Sequence, residues 1–256
     1  MTRQLRTKLW VATIGLLGLP GCAVYRPMQC AAPAVQNKHQ VEVTGGLYFN
    51  RRLEFGANYS PVRHLVVRVA GGGMGARADS ISAYSRLGQY EVALGTYWPL
   101  GKQVLVGALG GFGQAHSELR YSTIETSLTT HYEFDARYNK FFGEAYGAVQ
   151  VSPTLSLGVA YRLTQVQFTH LTDLGRPLDV RQMLRSEPMF FMRSAFGDGP
   201  RGERPLYVQF GCGASALLGQ AEAYQQAAGS EGSVLGPCPY FTLGLGFFPQ
   251  ALFKRR

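Results

Sequence analysis

Five histidines, His39, His64, His116, His131 and His170, are the first places to look for chemistry in this chain. None belongs to an HExxH motif or to another close ligand pair, so their spacing designates no metal site and calls for no cofactor. His64 falls in a tight turn and reads as a surface residue. His116, Ser117 and Glu118 are consecutive, and His131 approaches them from a paired strand. A histidine beside a serine can activate the hydroxyl for lipid hydrolysis or acyl transfer, and His116 or His131 with Ser117, Ser122 or Ser127 imitates that arrangement. Neighbouring residues of a strand point to opposite faces, however, so the tripeptide is not itself a triad. His170 with Asp173 is a looser cluster of loop type. The glycines around Met74 lack the lysine and the helix of a phosphate loop and read as a glycine hairpin. Basic residues are dispersed rather than gathered into a nucleic-acid groove. No catalytic residue is therefore expected.

Covalent chemistry is clearer at Cys22. Residues 1–21 carry Arg3, Arg6 and Lys8 and then an apolar run from Leu9 to Leu19. A spanning helix needs roughly twenty apolar residues, so this short run reads as a signal peptide that is removed. Leu19-Pro20-Gly21-Cys22 follows it directly and resembles a lipobox, in which the cysteine is diacylated and becomes the new amino terminus. Attached acyl chains, more than one, anchor a protein stably where a single chain binds only marginally. Cys30, Cys212 and Cys238 remain; a Cys212–Cys238 bond is open, and spacing alone does not establish it.

What must position these residues is a set of strands. Charged residues are only 16% of the 256 and hydrophobic ones 46%, which excludes a disordered chain and makes a soluble basic regulator a poor fit despite 25 Lys+Arg against 16 Asp+Glu. Residues 22–38 have no periodicity and read as an acylated tether. Beyond them the hydropathy alternates with period two. In Leu53–Ser60, for example, Leu53, Phe55, Ala57 and Tyr59 share one face and Glu54, Gly56, Asn58 and Ser60 the other. Strands are expected at about 40–49, 52–60, 64–72, 88–98, 103–117, 132–151, 154–168, 187–196, 205–215 and 239–248, with a barrel domain at 39–249 and a short basic tail at 250–256.

Tight connections at 61–63, 99–102 and 152–153 alternate with long ones near 73–87, 118–131, 169–186 and 216–238. Short turns on one side and long loops on the other mark an outer-membrane barrel. The expected fold class is thus all-β, a closed antiparallel transmembrane meander of about ten strands, its backbone groups satisfied by closure. The even count puts both termini on the periplasmic side. Arg68, Glu91, Glu144, Gln150, Arg162, Arg193 and Gln209 sit opposite apolar partners and are the expected lumen residues, with small glycines between them to admit bulky side chains. Tyr59, Trp98, Phe141, Tyr161, Phe190, Phe196, Phe247 and Phe248 suit aromatic girdles. A tethered periplasmic sandwich or lipocalin-like barrel would alternate equally, with the apolar face turned inwards.

The pieces GCAVYRPMQCAAP (21–33), FGANYSPVRHLVVRVAG (55–71), GQYEVALGTYWP (88–99) and FGEAYGAVQVSPTLSLGVAYRLTQVQF (142–168) are joined by EPMFFMRSAFG (187–197) and YVQFGCGASAL (207–217). In order they resemble small outer-membrane β-barrel lipoproteins of Bacteroidetes-type bacteria. The resemblance implies a lipid-anchored outer-membrane barrel and no established catalytic mechanism. Ala23-Val24-Tyr25-Arg26 lacks an acidic surface-export signal, in keeping with a periplasmic amino terminus. The expected role is structural or envelope-associated, with outer-membrane lipids as partners, Arg176, Arg181, Arg185 and Arg201 available to lipopolysaccharide headgroups, no nucleic acid, and a monomeric state. The alternatives are a small selective pore or solute-binding barrel, a lipid-modifying hydrolase or acyltransferase, and the tethered soluble domain.

Overall fold

The computed structural model describes residues 24–75, 84–125, 128–199, 204–219 and 234–251, without the side chains of 123–125 and 128. Ser127, Arg201 and Cys22, each named above, lie outside them. Ten strands follow in chain order: β1 Val41–Tyr48, β2 Leu53–Tyr59, β3 Leu65–Met74, β4 Tyr84–Leu100, β5 Val104–Glu125, β6 Leu128–Gln150, β7 Leu155–Asp173, β8 Gln182–Phe196, β9 Leu206–Leu217 and β10 Cys238–Phe247. A two-residue ladder, Arg176–Pro177, folds back on β7. Every strand pairs antiparallel with its chain neighbours, and β1 pairs with β10 from Val43↔Phe247 to Tyr48↔Thr242, which closes the barrel.

The outward face carries the apolar series. Leu53, Phe55 and Tyr59 on β2, Tyr90, Val92, Leu94 and Trp98 on β4, Val159, Tyr161 and Leu163 on β7, and Leu243 and Leu245 on β10 are all exposed. On β6 the band runs from Phe141 to Val149. Nine strand residues cover about 30 Å of strand and, at a roughly 40° tilt, about 23 Å of height, close to the apolar band of an outer-membrane barrel. Exposed apolar rows of this height on a closed sheet define a membrane-spanning barrel of the outer-membrane type and exclude the soluble arrangement, in which these rows would point inwards.

Two of the four expected long loops are largely strand, while 73–87 and 216–238 lie mostly outside the described residues. In 118–131 the described residues pair from Glu118↔Asp135 to Glu125↔Leu128, and 169–186 folds as a hairpin whose turn residues Leu174 and Gly175 both have positive φ, 49° and 75°. Polar residues on one face had made these stretches look like loops. They belong to strands that have left the membrane, where the outward face must be polar. The wall is consequently lopsided: β5 and β6 have 22 and 23 residues, against 8 and 7 in β1 and β2.

Inward glycines receive aromatic rings from the neighbouring strand. A Cβ at Gly246 would overlap the Tyr207 ring, and one at Gly158 the Phe191 ring. These close approaches let large side chains lie flat inside a narrow barrel. Cys30, Cys212 and Cys238 are free thiols. Cys212 is opposite Phe241 and Cys238 opposite Ser215, three register positions apart, which answers the open disulfide question.

Candidate functional site: an occupied lumen

Six of the seven expected lumen residues are interior: Arg68, Glu91, Glu144, Arg162, Arg193 and Gln209 are all buried. Gln150 is the correction. It shares the inward parity of β6 but ends that strand, exposed at the rim, where its Nε2 reaches only the Pro153 carbonyl at 3.5 Å. Parity gives the face of a residue and not its height. Arg185, expected as a solvated loop residue within reach of headgroups, is also interior, its guanidinium bonded to the Ser215 hydroxyl and the Gly236 carbonyl.

At the centre, Glu91 takes Lys140 Nζ at 2.6 Å and Arg162 Nη1 at 3.1 Å, and Arg162 also binds Glu144 at 2.7 Å. Lys140 was missed in the sequence, although it shares the parity of Glu144 on the same strand. Glu42, Glu54 and Glu187 were missed as lumen acids too, and they matter because of what fills the barrel.

The filling is the chain's own amino-terminal segment. Val24, Tyr25, Met28, Cys30, Ala32 and Val35 are each at most 1% exposed. The segment read as a tether therefore runs through the lumen, and side chains of the wall take up its backbone groups. The Ala31 and Ala32 amides donate to the two oxygens of Glu144, both at 3.0 Å. The Gln29 amide donates to Glu54 and the Ala34 amide to Glu42, at 3.3 and 3.0 Å. Arg162 donates to the Gln29 carbonyl, Arg193 to that of Ala32 and Arg52 to that of Pro27. Buried backbone groups need partners. With Pro27 and Pro33 breaking any ladder, ionic side chains supply them. A gap beside the segment, bounded by Gln29, Glu54, Arg68 and Gln209, is about 30 Å³. That volume admits a water or two and no solute.

The direction of this segment corrects a second expectation. Tyr25 packs against Tyr138 and donates to Glu187 at 2.7 Å, within an apolar cluster that includes Leu119, Phe134 and Met183 on the projecting part of the wall. At the other end Val41 begins β1 beside Gln250, near the short turns. The described chain ends thus lie at opposite ends of the barrel and not on one side. Strand parity fixes where β1 starts, but says nothing of a segment long enough to cross the lumen before it.

Two further environments complete the inventory. At the short-turn end a vestibule of about 490 Å³ is lined by Lys102, Arg193 and Arg204 together with Gln103, Gln150 and Gln250. Among the described residues its lining has no carboxylate. On the outer wall above the apolar band, Ser122 Oγ lies 2.7 Å from His131 Nδ1, and His116 Nε2 lies 2.9 Å from Asp135. Ser122 stands ten positions along β5 beyond Phe112, about 33 Å of strand past the apolar band. Ser117 faces the interior instead. Nucleophile, base and acid do not come together among the described residues, nor do three or more metal-ligating side chains. On the same wall Tyr84 donates to Glu118 at 2.9 Å, and that bond raises the phenol pKa.

No protein-family model and no curated protein matches the chain. Solved barrels resemble it in shape. The translocator domain of autotransporter NalP from Neisseria meningitidis is 11% identical over 81% of this chain and 86% of its own, with a TM-score of 0.43. The amino-terminal β-barrel domain of Pseudomonas aeruginosa OprF is 8% identical over 83% and 99%, with a TM-score of 0.32. The Ralstonia pickettii toluene transporter TbuX is 12% identical over 70% and 63%, at 0.37. At such identity and overlap the likeness goes no further than the barrel. The chain is an outer-membrane β-barrel by its own geometry.

Proposed function

We propose that this protein is a narrow outer-membrane conduit for small polar solutes, held shut by its own amino-terminal segment and anchored through an acylated Cys22. The observation that carries the reading is the way the segment is held. Its backbone is bonded to side chains of the wall and, among the described residues, to no strand backbone, so it can be loosened from the wall without breaking the sheet. Loosened between its two held ends, it would uncover a lumen lined by Arg68, Lys140, Arg162 and Arg193 facing Glu42, Glu54, Glu91 and Glu144. The described lining of the vestibule, with Lys102, Arg193 and Arg204 and no carboxylate among them, supports a bias of the short-turn mouth towards anions. The lipobox-like sequence supports acylation, and with it membership of the lipoprotein barrels that the chain resembles. His116 and Arg137, just beyond the apolar band and beside an outer groove of about 520 Å³, suit lipopolysaccharide headgroups.

Planar-bilayer recording of the full chain and of a chain lacking residues 24–35 tests the reading. The full chain should stay closed, and the deletion should give small anion-selective steps. A deletion barrel that is folded, as judged by its heat-modifiable mobility, and yet silent would sink the conduit and leave the structural, envelope-associated role.

A further inference from the structure

The threaded segment decides on which side of the membrane the chain begins. Short turns of outer-membrane barrels face the periplasm. Here Val41 and Gln250 are at that end, while Val24 and Tyr25 are at the projecting end, with the lumen between them. Twelve residues from Val24 to Val35 reach about 40 Å when extended, enough to cross the apolar band from one mouth to the other.

We propose that the chain delivers its own amino terminus through its barrel, so that acyl chains on Cys22 enter the outer leaflet of the membrane. The proposal rests on the acylation put forward above and adds its destination. The lopsided wall provides the exit. Pro27 is tied by its carbonyl to Arg52 Nη2 at 2.6 Å beside β2, the shortest of the ten strands, and Arg26 reaches Met74 Sδ at 3.5 Å and Ser85 Oγ at 3.0 Å, at the ends of β3 and β4. Outside this lip the chain shows lipid-facing residues up to its edge: Leu47 and Leu53 are exposed, and Phe49, 75% exposed, stands edge-on to Phe241. Cys22 is two residues beyond Val24, at most about 7 Å of chain, so its acyl chains emerge at this mouth of the barrel. The membrane surface is nearer on the low side, since on the opposite wall β5 continues about 43 Å of strand beyond Phe112.

An epitope placed between Cys22 and Val24, with a second one after Arg256, tests the topology in cells. Antibody should reach the first epitope as well in intact cells as in permeabilised ones, and the second only after permeabilisation. Heat-modifiable mobility checks that the insertion leaves the barrel folded. A single Ala23→Lys, labelled with a membrane-impermeant amine reagent and located by mass spectrometry, gives the same reading with less disturbance. Incorporation of an alkyne fatty acid into the wild type and not into Cys22→Ser reads the acylation separately. An acylated chain whose first epitope is hidden until permeabilisation overturns the proposal while sparing the anchor. A chain that takes up no fatty acid overturns both.

Discussion

The same strands build two different walls. Within the membrane β6 turns Phe141 and Val149 to the outside and Lys140 and Glu144 to the inside; farther along it turns Glu133 and His131 outwards and Phe134 and Ala136 inwards. On β7, Val159, Tyr161 and Leu163 give way to Gln165 and Gln167 on the outer face, while Arg162 and Thr164 give way to Val166 and Leu171 on the inner one. Below, the solvent outside is lipid and the interior is ionic. Above, the solvent is water and the interior is an ordinary apolar core. One continuous ladder therefore works inside-out in its first half and as a soluble barrel in its second. A side chain's effect should depend on its height as much as on its face.

Height can be tested directly. Arg162→Met leaves Glu91 and Glu144 short of a partner in the ionic half, and should cost about 3–5 kcal/mol in denaturant unfolding of the refolded barrel. An unchanged midpoint would mean that the central cluster does not hold the lumen. Val159→Lys, on the lipid face, should cost about 2–4 kcal/mol, whereas Gln165→Lys on the same face of the same strand should cost roughly 0–1 kcal/mol. Equal losses at both sites would erase the boundary between the walls. The smallest effect belongs to the projecting part. Arg120 Nη2 lies 2.6 Å from Glu133, with both side chains about half exposed. Arg120→Gln should change stability by about 0–1 kcal/mol, and by less at high salt. A larger loss would show that this wall depends on its surface charges rather than on the apolar cluster around Phe134.

This reversal explains what could be read in the sequence. Alternation in Leu53–Tyr59 and Tyr90–Trp98 gave the strands, their faces and the count of ten, because each lies wholly within the membrane half. Stretches such as 118–131 became loops in that reading because the rule had changed sign: His116, Glu118 and Arg120 occupy the parity that Phe112 held in lipid. Arg162 and Glu144 were legible as lumen residues from face alone, whereas Gln150 needed a height. The lumen segment left a signal that period-two reading passes over. Residues 24–35 include Val24, Tyr25, Met28, Cys30 and Val35 but only one charged residue, Arg26, a poor composition for a solvated tether. Its two prolines argued against a strand and so seemed to argue for solvent, when ionic side chains were waiting to bond the backbone between them.

A chain enclosed by its own sheet also has a history. The seam that closes the barrel joins Val43 to Phe247, the first strand to the last, and such a distant pairing comes late because so much chain must be ordered before it forms. Once that seam is made, the amino-terminal end has no free passage past the arginine and tyrosine side chains of the bore. The thread must lie in the eye before the eye is shut: Val24–Val35 is the mandrel around which the last ladder is wound.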